Sequence, residues 1–223
     1  MSRLFEHVRL NRKIKKIYWD RFRAYGPSPR GSFWLTKTRQ NRRFKLILDA
    51  VQNLSPRLDF SLADVGCGYG AMAEYLAQNH IFKSVQYTGY DISPELIEIC
   101  RINFCNKPFY FKVGTYPSRP TMFTVMSGTY NLAVTPNLKV WERYVMHSIF
   151  TCWNQSTIAV IFNLQIAEIA HISRDHIYYA NIHDIKKKCS DLFGPTTVSY
   201  HPDVPQDMTF CVSKTKKSPT LNS

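Results

Sequence analysis

Apolar positions along this chain follow two periods. Compact apolar-rich runs at 60–65, 85–90, 108–113, 122–126 and 157–163 read as buried strands, and 196–200 with 209–213 read as a closing antiparallel hairpin. Stretches at 71–77, from 95 onward, 138–153 and 182–193 carry apolar residues at helical spacing. Strand and helix alternate, which predicts an α/β fold with a seven-stranded, mostly parallel sheet and an antiparallel C-terminal hairpin. Ahead of it, Leu4, Val8, Ile14, Ile17, Tyr18 and Phe22 predict an amphipathic helix with a basic face. The breaker Gly26-Pro27-Ser28-Pro29-Arg30-Gly31 then precedes a second helix over 36–54, with Phe44, Leu46, Ile47 and Val51 on one side.

The stretch Asp64-Val65-Gly66-Cys67-Gly68-Tyr69-Gly70 puts three glycines where the first strand meets a helix. Glycine takes positive φ and keeps Cβ out of a ligand's way, so such a turn can hold a nucleoside against bare backbone. A plain tight turn uses glycine too. The second strand ends at Asp91-Ile92-Ser93-Pro94, roughly 20 to 25 residues later, where a doubly wound sheet brings a carboxylate beside a ribose. Asp91 as a helix N-cap is the structural alternative, although Ser93 can fill that place.

Asp64 through Gly70, with Asp91-Ile92-Ser93-Pro94, resembles the class I S-adenosylmethionine (SAM)-dependent methyltransferases, closely over 62–100. A dinucleotide site calls for G-x-G-x-x-G, whereas here the third glycine follows the second by two. The resemblance implies a Rossmann-like SAM-binding domain over 56–215 and a basic helical lid over 1–55, and the polar, basic end of the chain is expected to be a disordered tail over 216–223. It implies cofactor contacts from Asp64, Gly66, Cys67, Gly68, Asp91 and Ile92. Thr115 stands where these enzymes often carry an acidic residue near adenine, so its contact is expected from a hydroxyl or backbone. Ser127 lies at the carboxyl end of the fourth strand, the ligand side of an open sheet.

The breaker with Trp34, Gln40 and Arg43-Phe44 is similar to the N-terminal segment of a group of small bacterial methyltransferases. That implies Trp34, Gln40 and Arg43 as lid contacts to the methionine end of the cofactor. Tyr130 and Asn131 are placed to face the transferred group. The aperiodic segment 168–182, with His171, Arg174, His176, Tyr178 and Tyr179, occupies the usual place of substrate-binding insertions. Tyr130, Asn131, Tyr178 and Tyr179 are therefore the candidate catalytic residues. The same segments are loosely similar to azetidine-2-carboxylate synthases, which cyclise the methionine moiety of SAM and release methylthioadenosine.

Composition sets outer limits. The 223 residues fit one domain with an appendage, and 44% hydrophobic content supports a core. No apolar run reaches the length of a membrane span, the start lacks a signal-peptide core, and no membrane partner is expected. Six scattered cysteines without a C-x-x-C pair suggest neither a disulfide framework nor a metal site, and the cytoplasm is the expected compartment. Of the formal net charge of +13, most lies in the first fifty residues, with fourteen Lys or Arg against three Asp or Glu. A nucleic-acid-binding arm or an RNA methyltransferase is the rival reading of that charge. The leading one is methyl transfer to an oxygen or nitrogen of a small molecule, with oligomeric state left open.

Overall fold

In a computed structural model of the chain, residues 3–32 and 36–214 are described. Trp34 and the tail over 216–223 lie outside them. Helix α1 (Arg3–Tyr25) leads through a short 3-10 turn to α2 (Lys37–Leu54), whose N-cap Thr36 accepts the Arg39 N–H at 3.2 Å. The alternating part follows as β1 (Ser61–Val65), α3 (Ala71–Gln78), β2 (Gln86–Asp91), α4 (Pro94–Asn103), β3 (Tyr110–Val113) and β4 (Thr121–Met126). Then come α5 (Leu138–Gln155), β5 (Ser156–Ile166), β6 (His171–Ile172), β7 (Tyr178–Ala180), α6 (Ile182–Leu192), β8 (Thr196–Tyr200) and β9 (Asp207–Ser213). Ser93, Asn137 and Asn181 cap α4, α5 and α6, each accepting a backbone N–H three residues on.

The seven expected strands run in the spatial order β3-β2-β1-β4-β5-β9-β8. Strands β1 to β5 are parallel, and β9 returns antiparallel against β5 over Ala159–Gln165. The sheet has nine strands rather than seven, because β6 and β7 are added. Gln165 pairs with Asp207 of β9 and with Tyr179 of β7, which puts those strands on opposite edges of β5. β7 thus takes over the edge that β4 leaves when its pairing ends at Phe162. Strands of two and three residues are too short to print a period in a sequence, and the segment accordingly looked aperiodic.

Two apolar clusters sandwich the sheet. Alternation along β5 feeds both: Val160, Phe162 and Leu164 join one, Ala159 and Ile161 the other. The first is covered by α5 and α6 through Trp141, Val145, Ile149 and Ile185, and it takes in Leu10 of α1. The second is covered by α2, α3 and α4 through Ile47, Val51, Met72, Leu76 and Ile97. Strand order reverses between β1 and β4, so their carboxyl ends diverge and open a crevice.

Candidate active site

The crevice is floored by the glycine turn. Gly66, Gly68 and Gly70 have φ of 79°, 57° and 88°, values that L side chains rarely adopt. The Gly66 and Cys67 N–H groups donate to the Tyr90 carbonyl at 2.7 and 3.0 Å, which ties the turn to the end of β2. A Cβ at Gly66 would stand 2.6 Å from the Thr129 side chain, whose hydroxyl donates to the Val65 carbonyl at 2.8 Å. The loop after β4 is thereby locked onto the end of β1.

Two carboxylates are buried at this floor. Asp91 accepts the Gly68 N–H at 3.0 Å on one oxygen and the Ser93 N–H at 2.9 Å on the other. Burial raises its pKa, against the pull of those amides. Asp64 accepts the Tyr87 hydroxyl at 2.8 Å. Its burial pushes the carboxyl up to about 7, opposed by the Tyr87 hydrogen bond and helped by the Asp91 charge.

Helix α1 lies across the crevice. Ile14, Tyr18 and Phe22, four residues apart on one face, line the space beneath it. On one bank Lys15 pairs with Glu95 of α4 at 3.4 Å; on the other Glu6 pairs with Arg143 of α5 at 3.2 Å. The Tyr144 hydroxyl donates to Asn11 at 2.7 Å, the His7 ring rests 4.6 Å from the Tyr144 ring, and Leu10 is 2% exposed. The covered cleft holds ≈ 1000 Å³ of empty space, its open mouth included.

Of the residues expected at a cofactor, Asp64, Gly66, Cys67 and Gly68 line this cleft, as do Asp91, Ile92, Thr115 and Ser127. Gln40 lines it too, accepting the Tyr69 hydroxyl at 3.1 Å. Arg43 is not among the lining residues. It forms a buried ion pair with Asp207 of β9. Of the four candidate catalytic residues only Tyr130 reaches the cleft. Asn131 is turned to the sheet, its side-chain oxygen accepting the Gln165 N–H at 3.2 Å and its carbonyl the Tyr178 N–H at 2.8 Å. Tyr178 is fully buried in the α5 cluster and donates to Glu142 at 3.3 Å. Tyr179, alternating to the opposite face, stacks on His171 at 4.9 Å. Arg174 and His176 are exposed near that hairpin. The sequence reading missed Tyr18, Tyr144 and Ser148, all in the lining. The spacings Ile14-Tyr18-Phe22 and Tyr144-Ser148 mark inward helix faces, which was the only signal available for them.

The lining fits a nucleoside cofactor. Open backbone at the turn and the Asp91 carboxylate suit a ribose, and the Ser127 side-chain oxygen is buried with no hydrogen-bond partner among the described residues. A polar atom left so is a place for a bound polar group.

A family model described as a methyltransferase domain matches residues 62–153, from β1 through most of α5. Over 144 residues the chain is 28% identical to "Putative methyltransferase Rv1506c" of Mycobacterium tuberculosis, covering 64% of this chain and 86% of that one. Among solved structures it resembles magnesium protoporphyrin IX methyltransferase of Synechocystis PCC 6803 with bound SAM, at 13% identity and a TM-score of 0.62 over 94% of this chain and 97% of that chain. It also resembles DhpI in complex with S-adenosylhomocysteine (SAH), at 12% identity and a TM-score of 0.60 over 93% and 98% of the two chains. At such identities the structural likeness is one of fold.

Proposed function

We propose that this chain is a class I SAM-dependent methyltransferase and transfers the methyl group to an oxygen or nitrogen of a small molecule held beneath α1. The observation that carries this reading is the course of α1. Joined to α4 and α5 by ion pairs, it crosses over the cleft and leaves a partly covered pocket rather than a groove running along the surface. Helix α1 acts in this reading as the lid of the domain, whereas α2, expected with it in a lid over 1–55, packs its Ile47 and Val51 face onto the sheet.

SAM supplies an activated methyl on a sulfonium, so the protein's work is binding, orientation and exclusion of water. Asp91 accepts hydrogen bonds from ribose hydroxyls, in place of or beside the Gly68 N–H. The turn offers its backbone without side chains, and Ser127 gains the partner it lacks. Ile14 and Phe22 exclude water from above. Tyr130 borders the acceptor.

Two rival readings draw less support. Cyclisation of the methionine chain needs a polar group beside its amine, and Asn131, expected there, is engaged by Gln165 and Tyr178. In the nucleic-acid reading the N-terminal helix is an arm, but the inner face of α1 is taken up by the cleft, which leaves its outer cations as a solvated surface. A cytoplasmic location belongs to the proposal: six free cysteines suit a reducing compartment, and no helix among the described residues is long and apolar enough to cross a membrane.

Chromatography of the reaction tests it. SAH formed only when a small acceptor is added is the expected product. Methylthioadenosine formed from SAM alone contradicts methyl transfer.

A further inference from the structure

The two ends of the cleft differ in chemistry. Asp91 ends β2 and Thr115 follows β3, whereas Tyr130 follows β4 and Tyr144 and Ser148 stand one turn apart on α5. Tyr18 reaches in from α1. Tyr130 and Tyr144 are 4% and 7% exposed, with rings 6.2 Å apart in an edge-to-face arrangement. The Ser148 hydroxyl donates to the Tyr144 carbonyl at 2.9 Å, and the Tyr144 hydroxyl donates to Asn11 at 2.7 Å.

Among the described residues that line the cleft there is no Lys, Arg or His, in a chain of formal net charge +13. Its carboxylates already have partners: Tyr87 holds Asp64, and the Gly68 and Ser93 amides hold Asp91. A charged acceptor would lose its water here without gaining an opposite charge. Burial raises the pKa of Tyr18, Tyr130 and Tyr144, so all three stay as hydroxyls. A wall of neutral phenols and one serine offers flat aromatic surface together with groups that both donate and accept.

We propose that Tyr18, Tyr130, Tyr144 and Ser148 form the acceptor subsite, and that it takes an uncharged aromatic molecule bearing a hydroxyl group. This rests on the methyltransferase reading and narrows its acceptor class.

The test uses three probes that share a ring and differ in charge at pH 7: 2-naphthol, 2-naphthoate and 2-naphthylmethylammonium. Each is titrated by calorimetry and naphthalene fluorescence into the full-length protein, with and without saturating SAH. The expected result is 2-naphthol binding about tenfold or more tightly than either charged probe. Tyr130→Phe and Ser148→Ala each narrow that gap by about threefold or more, because the lost hydrogen bond bears on the hydroxyl probe. The gap is read only in variants that keep the wild-type circular dichroism spectrum and melting cooperativity, and Tyr130→Leu or Ser148→Gly replaces either variant that fails to fold. Equal affinities, a preference for a charged probe, no binding of any probe, or an unchanged gap in both variants overturns the subsite. Failure of the protein to bind SAH while 2-naphthol still binds contradicts the methyltransferase reading instead.

Discussion

Arg43 and Asp207, 164 positions apart in sequence, form a buried ion pair that ties α2 to the first residue of β9. The other Asp207 oxygen accepts from the Asn163 amide at 2.9 Å, and the Asn163 oxygen accepts the Gly128 N–H at 2.7 Å. One polar line therefore runs from α2 through β9 and β5 to the loop after β4, where Ser127, Thr129 and Tyr130 line the cleft. Burial pushes the Asp207 carboxyl up, and the Arg43 charge holds it down.

Removing one partner leaves a buried charge uncompensated. Arg43→Met is expected to lower unfolding stability by about 3 kcal/mol or more, read from urea denaturation. A loss under about 1 kcal/mol, the scale of an exposed pair, contradicts the structural role given to it.

Asp64 sets a pH dependence whose sign follows from its burial. Its carboxyl has an ordinary value of 3.8 and stands at about 7 in the fold. Below the lower value it is protonated in both states. As pH rises toward the higher one, the unfolded chain ionises and the fold resists, so the wild type loses stability. Asp64→Asn keeps an acceptor for Tyr87 and does not titrate. Its melting temperature, relative to wild type, is expected to climb from about pH 4 to pH 7 and then level off. A difference constant across that window refutes the assignment.

The seat of α1 is apolar more than ionic. Its two ion pairs across the cleft, Lys15–Glu95 and Glu6–Arg143, are partly exposed and worth little each. Leu10 by contrast is buried in the main cluster. Raising salt from about 0.05 to about 0.5 M should change SAH affinity less than about threefold. Leu10→Ala removes a buried side chain worth about 2–5 kcal/mol and should weaken SAH binding about tenfold or more. Salt acting more strongly than Leu10→Ala would mean that charge, not packing, seats the helix.

These elements also mark how far the sequence could be read. The parallel sheet, its hairpin and the glycine turn with Asp91 were legible because each is a local pattern: a compact apolar run, a strand-to-helix junction, a fixed spacing. Arg43 was not, since its partner lies at the far end of the chain and a lone arginine carries no sign of the charge it will meet. Asn131 and Tyr178 looked chemical because polar and aromatic residues cluster near strand ends. The fold uses them instead to join β7 to β5 and to fill the α5 side of the core. Tyr18, Tyr144 and Ser148 had the spacing of inward helix faces, but which cavity those faces enclose is decided by packing.

Calorimetric titration of SAH into the wild type and Asp91→Ala tests the central claim most directly. The wild type should bind one equivalent, and the variant should bind about 1 to 3 kcal/mol more weakly, the scale of a lost hydrogen bond to a charged group. No binding by the wild type, or equal affinity in the two proteins, would contradict a SAM site built on the glycine turn and Asp91.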